Sequence, residues 1–416
     1  TETPTITASS APFTPTITHT HASPITRPRY TLTIKFDYAQ HFAEVQETID
    51  YTNQTGAQLP NLVLVVEANH YPGAIQIDSI ALTGGQALLD QVTLDGHRLE
   101  LSLNQPLASG QELTLRLAYR LNLPAIPAPD DARRPVPFGY TSRQTNLVDW
   151  YPYVAAYQPE KGWLLHDAWV FGEHQVQDVA DYQVNLELIN PPAGLQVAAS
   201  SPAEGNSQKN KLSYHLEAGR AFALSASPSY VIATTQVEGV VITSYTFAWD
   251  APAGKAALED TAKALALYNH LFGPYLRAQL SVVEADFLDG MEYESLYFLS
   301  RGFYNLYDGT PKGYLTTIAV HETAHQWWYA RVGNDQALEP WLDEGLATYS
   351  ERIFYENVYP DLADWWWAFR VHFYAPQGWI NRPIYDYEGF TPYRNAVYLR
   401  SALFLEDLRI KTGDEA

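Results

Sequence analysis

The chain has 416 residues, a formal net charge of −21, 46% apolar and 13% aromatic residues, and no cysteine. Its apolar content suits packed cores rather than disorder, and its length exceeds what one core usually supports, so two domains and a tail are expected. The charge disfavours nucleic acid and anionic membrane surfaces as partners, no run of about 18 apolar residues offers a transmembrane segment, and without thiolates any metal falls to histidine and carboxylate.

Residues 1–28 (TETPTITASSAPFTPTITHTHASPITRP) are Thr/Pro/Ser-rich and nearly uncharged, and they read as a disordered linker in which His19 and His21 are solvated. The chain starts at Thr1 without a methionine, so removal of an upstream signal or lipid-anchor segment is expected. Such a stalk suits an extracytoplasmic protein, secreted or surface-anchored. From Tyr30 the pattern has period two: Tyr30, Leu32, Ile34 and Phe36 alternate with polar residues, as do Leu99 to Leu103 and Leu113 to Leu121. The apolar run 62–66 suits a strand covered on both faces. Further strands are expected at 182–189, 211–216, 221–225 and near 240–246, with turns at Asn53, Gly56, Gly84-Gly85, Gly96 and Gly110. Residues 29–246 are therefore expected to form an all-β, antiparallel sandwich-like domain. Within it, 130–163 is a long aromatic loop whose Trp150, Tyr151 and Tyr153 serve either a cleft wall or packing at a sheet edge. Asn53-Gln54-Thr55 is a formal glycosylation sequon.

From Gly254 the period becomes helical, through Leu258, Ala262, Leu265, Tyr268, Leu271 and Phe272, and Gly273-Pro274 ends the helix. A strand is expected at 280–286. A helix carrying His321 follows, with Gly333 expected at its C-terminus, and Pro340 opens another that Pro360 ends. Helical patterns recur at 364–373, where Trp365–Trp367 read as core, and at 392–413. Residues 247–416 are expected to form a mainly helical second domain, for an α+β protein overall.

His321 and His325 are four residues apart, so a helix places both imidazoles on one face, able to share one metal ion. Glu322 lies about 100° further round, where it reaches a metal-bound water rather than the metal, as a general base should. Glu344, just inside the next helix, supplies a third, oxygen ligand. The stretch reads as a catalytic zinc site, and Asp343 beside it as a candidate partner of a ligand.

HETAHQWW followed by WLDEGLATYSE resembles the aminopeptidase N family of zinc metallopeptidases, in the gluzincin clan, and this chain resembles a distant bacterial-type member. FGPY at 272–275, VVEADF, GMEY and YLRSALFLEDLRIKTG extend the likeness over roughly 254–413. The resemblance implies a thermolysin-like catalytic domain, C-terminally truncated or minimal in this chain, and one Zn2+ held by His321, His325 and Glu344. Glu322 is then the base that takes a water proton and passes it to the leaving amine. The segment Gly290, Met291 and Glu292 matches the family's G-A-M-E-N motif, whose glutamate binds the free α-amino group of a peptide substrate. Asp289 stands at the first glycine of that motif, Gly290 at the alanine and Tyr293 at the asparagine. Glu294 and Glu284 are the alternative carboxylates. Tyr398 matches the family's tyrosine that stabilises the oxyanion, with Tyr393 as alternative. The implied activity is removal of N-terminal residues from peptides. A metallo-endopeptidase of the same clan, or a zinc-binding scaffold without turnover, are the alternatives.

Overall fold

The computed structural model describes residues 26–83, 87–128, 136–205, 208 and 210–414. Residues 1–25 of the expected linker, the Gly84-Gly85 turn and residues 130–135 of the aromatic loop lie outside the described residues. The alternation from Tyr30 builds the strand Arg29–Asp37, with Tyr30, Leu32, Ile34 and Phe36 buried and Arg29, Thr33 and Lys35 exposed. It pairs antiparallel with Phe42–Thr52 and parallel with Ala180–Ile189. The parallel pair departs from an all-antiparallel sandwich. A parallel partner demands a long crossover, and here the intervening chain includes three further strands of the same sheet, Phe42–Thr52, Ile75–Leu82 and Glu112–Asn122. The six-stranded sheet runs Lys211–Gly219, Ala180–Ile189, Arg29–Asp37, Phe42–Thr52, Glu112–Asn122, Ile75–Leu82. The run 62–66 is buried throughout, in Leu59–Val65 between Tyr153–Val154 and Arg98–Leu107.

Trp150, Tyr151 and Tyr153 belong to the core that these sheets share. The Trp150 indole donates to Phe222 O and the Tyr151 hydroxyl accepts from Phe222 N, each at 3.0 Å, so these side chains pack the sheet region. Asn53 is fully buried and its amide donates to Ala57 O and Leu107 O, both at 2.8 Å. Both amide hydrogens are engaged, which leaves the sequon no nitrogen to modify.

Tyr230–Val237 and Val240–Phe247 join Gln279–Ala285, Leu296–Ser300 and Gly290–Tyr293 in a five-stranded sheet. The link is a parallel pairing of 241–245 with 279–283, and helix α1 (Ala251–Phe272) is its crossover. This sheet runs across the expected boundary at 246. Helices α2 (Arg301–Asn305), α3 (Tyr314–Ala324), α4 (Glu344–Val358), α5 (Ala363–Trp366), α6 (Phe390–Arg394) and α7 (Ser401–Thr412) follow. The α+β architecture, sheet-rich and then helical, is as expected. The Tyr268 hydroxyl of α1 donates to Ser350 O at 2.9 Å and to Val320 O at 3.3 Å, fixing α3 and α4 against α1. Among the described residues no helix is long and apolar enough to cross a membrane.

Candidate active site

Every residue of α3 from Leu315 to Ala324 is buried, so this helix has no solvent face. Its buried threonines are satisfied internally: Thr316 donates to Asp260 and Thr323 to Ala319 O, each at 2.7 Å. His321 and His325 project from its last turn with ring centroids 4.7 Å apart. The helix ends at Ala324, not at Gly333. Beyond His325 the chain coils back, with Ala330 N donating to His325 O and Val332 N to Trp327 O. Gly333 is needed for space instead, because a Cβ there would lie 2.3 Å from the Arg220 guanidinium carbon.

Pro340 opens a 3-10 turn, Pro340–Leu342, and Glu344 is the first residue of α4, where the helix dipole favours a carboxylate. Glu344 Oε2 lies 3.1 Å from His321 Nε2 and 3.6 Å from His325 Nε2. The outer nitrogens are occupied: His321 Nδ1 meets Glu351 at 2.8 Å and His325 Nδ1 meets Asp343 at 2.6 Å. With Nδ1–H donated outward, each ring in its neutral form would turn the Nε2 lone pair to the space beside Glu344. Glu351 is anchored by the Trp366 indole at 3.0 Å and by Arg370, and Asp343 by Gln336 at 2.7 Å. Burial would raise the Glu344 carboxyl, but His321 and His325 hold it well below its usual range. Burial lowers His321, yet Glu344 and Glu351 override it and push the imidazole up to about 9.

Two buried atoms among these side chains, His325 Nε2 and Glu322 Oε2, have no hydrogen-bond partner. Buried polar atoms rarely stay unpaired. The three donors His321, His325 and Glu344, with ligand atoms within 4.8 Å of one another, fit a tetrahedral dication that keeps one open position. Carboxylates outnumber imidazoles here, which also calls for positive charge.

Glu322 lies against the backbone of Gly290, where a Cβ would fall 2.0 Å from its Oε1. Burial pushes Glu322 up to about 8 against the pull of His325 and His321. Glu292, on the edge strand Gly290–Tyr293, faces the same cavity and is 5% exposed. Burial pushes its carboxyl well up; His325 opposes this, and Asp343, Glu344 and Glu322 add to it. Met291 lies under the strand in the sheet-side core and lines a smaller adjoining cavity with Glu292 and Tyr293. Asp289 takes the left-handed conformation, φ 68°, at the position that resembles the motif's glycine; aspartate tolerates this better than most residues. The Tyr293 ring packs edge-on to Phe298 and its hydroxyl reaches Asp149 at 3.4 Å. Neither alternative carboxylate lines the cavity. Glu294 binds Arg277 and Glu284 accepts from Phe247 N.

The Tyr398 hydroxyl donates to Glu344 Oε1, and its ring stacks on His321 at 6.0 Å. Burial and the Glu344 carboxylate push this hydroxyl up, so it stays protonated. Tyr398 lies in a π-helical stretch, Asn395–Arg400, joining α6 to α7. A second π-helical turn, Trp367–Val371, places Arg370 on Glu351. Gly345 lets the two helices meet, since a Cβ there would lie 2.6 Å from Ser401 Cβ. Tyr393 also lines the cavity, but its ring lies on Phe171 and its hydroxyl sits against Gly172. Trp365–Trp367 line none of this cavity. The motifs overlooked Glu351, two turns after Glu344 on the same face of α4, a spacing that could have found it. They also overlooked Arg370 and Glu173, a cavity-lining residue from the sheet region for which no local pattern exists.

Residues 256–377 match the profile of the Peptidase family M1 domain. Aminopeptidase M1-D of Oryza sativa subsp. japonica is 31% identical over 136 residues, covering 31% of this chain and 16% of that protein. Aminopeptidase M1 of Arabidopsis thaliana is 28% identical over 135 residues, covering 31% and 15%. The chain thus spans about a sixth of the length of the curated relatives it matches. Among solved structures, the M1 zinc metallopeptidase from Deinococcus radiodurans aligns with a TM-score of 0.64 at 19% identity, over 94% of this chain and 84% of that one. A mutant of that metallopeptidase bound to a Tyr-Ser-Ala substrate aligns with a TM-score of 0.61 at 17% identity, over 94% and 83%. At such identities the structural likeness shows the fold. The family resemblance read from the motifs is borne out over residues 256–377, which are similar to the M1 peptidase domain.

Proposed function

We propose that the chain is a zinc-dependent aminopeptidase that removes N-terminal residues from peptides. The observation that carries this reading is the convergence of His321, His325 and Glu344 beside an unpaired Glu322. In it, His321, His325 and Glu344 would hold one Zn2+. When bound, zinc lowers the pKa of its water toward neutrality and polarises the scissile carbonyl. Glu322 accepts the proton of the attacking water and delivers it to the leaving amine. The Tyr398 hydroxyl donates to the carbonyl oxygen as negative charge builds on it.

Glu292 takes the substrate's α-ammonium. Its support is electrostatic: a buried carboxylate crowded by three others gains most from a cation. Gly290 gives Glu322 room at the cleft floor, and Met291 seats the strand that carries Glu292. The composition of residues 1–28 supports an extracytoplasmic location. The test is Glu322→Gln, which keeps the wild-type zinc content while hydrolysis of an aminoacyl-anilide falls by roughly 10²–10⁴-fold. Undiminished turnover would overturn the mechanism.

A further inference from the structure

We infer that Glu67, His70 and His97, backed by His174, hold a second divalent transition metal, away from the catalytic donors and within the sheet region. Glu67 and His70 form the turn Glu67–His70 that follows the strand Leu59–Val65. His97 lies in the turn between Val92–Asp95 and Arg98–Leu107. Their ligand atoms lie within 4.8 Å of one another. His70 Nε2 is 3.2 Å from Glu67, and the His70 and His97 rings are 4.7 Å apart. His174 Nε2 stands 3.2 Å from both Glu67 oxygens, which fixes the carboxylate from behind.

The two turns are tied together independently of these side chains. Val66 N donates to His97 O at 2.7 Å and the Asn69 amide to Gly96 O at 2.5 Å. The cradle therefore stands on a backbone bond and the Asn69 side chain rather than on the cluster itself. Glu67, His97 and His174 are 6%, 6% and 3% exposed, whereas His70 is exposed at the mouth. A Glu67–His174 contact alone would satisfy the carboxylate. It leaves unexplained why the His70 ring also meets that carboxylate and the His97 ring stands beside it.

The donor set selects the metal class. Imidazoles with one carboxylate suit zinc and its neighbours, while calcium and magnesium take oxygen ligands. The ligands come from turns, so a bound ion pins two strand connections to the 171–175 segment. Glu173 of that segment lines the catalytic cavity.

The test is metal stoichiometry of the whole chain, saturated with Zn2+, desalted and measured by plasma mass spectrometry. Wild type should hold two equivalents, and His70→Ala/His97→Ala and His321→Ala one each. A wild type with one equivalent that vanishes in His321→Ala would overturn the assignment, as would two equivalents retained in His70→Ala/His97→Ala. If the double variant does not fold, anomalous diffraction at the zinc edge from wild-type crystals decides. A peak among Glu67, His70 and His97 is expected; a peak at His321 alone contradicts it.

Discussion

The His321–His325–Glu344 and Glu67–His70–His97 clusters use the same donor types and differ in what stands behind each donor. In the first, both imidazoles rise from one helix, each Nδ1 is held by a buried carboxylate, and those carboxylates are anchored in turn by Arg370, Trp366 and Gln336. In the second, the donors stand on turns and Glu67 is shared between His70 and His174. The first also has Glu322, an unpaired carboxylate facing a cavity. A rigid helical pedestal with a base beside an open position suits chemistry, and a set of turns drawn together suits a tether.

That contrast can be broken at Tyr398, whose hydroxyl reaches the first cluster. Tyr398→Phe should cut kcat by roughly 10²–10³-fold, the cost of one preorganised oxyanion donor, with zinc content unchanged. Steady-state kinetics on an aminoacyl-anilide would measure this; a change in KM alone would reduce Tyr398 to a substrate contact. A smaller effect is expected one step further out. Glu351→Gln loses the charge behind His321 and sets an amide N–H against the donors His321, Trp366 or Arg370, and zinc affinity at the first cluster should fall by roughly 10–100-fold. Chelator competition would follow it, and the second equivalent should stay in place. Parallel loss of both equivalents would show that the two clusters are not independent.

Much of the first cluster was legible from spacing. The four-residue spacing of the histidines becomes one helical turn, and Glu344 falls at a helix start because Pro340 opens the turn before it. What escaped depends on geometry that local patterns do not carry. Glu173 reaches the cavity from the sheet region, far away in sequence. Arg370 is aimed by a π-helical turn, where an extra residue rotates the face that 3.6-residue periodicity would assign. In the sheet region, alternation at Tyr30–Phe36 marked the strand and its buried face. The parallel partner at Ala180–Ile189 did not show, since pairing between residues 152 apart leaves no mark in either strand. The Gly333 expectation failed for a related reason: the glycine answers to Arg220 rather than to its own helix.

The most direct test of the account compares an aminoacyl-anilide with its N-acetylated form on zinc-loaded wild type. If Glu292 registers the substrate by its ammonium, the free-amine substrate is hydrolysed and the acetylated one is not. Equal turnover of both would contradict aminopeptidase action and leave a zinc hydrolase that does not read the N-terminus.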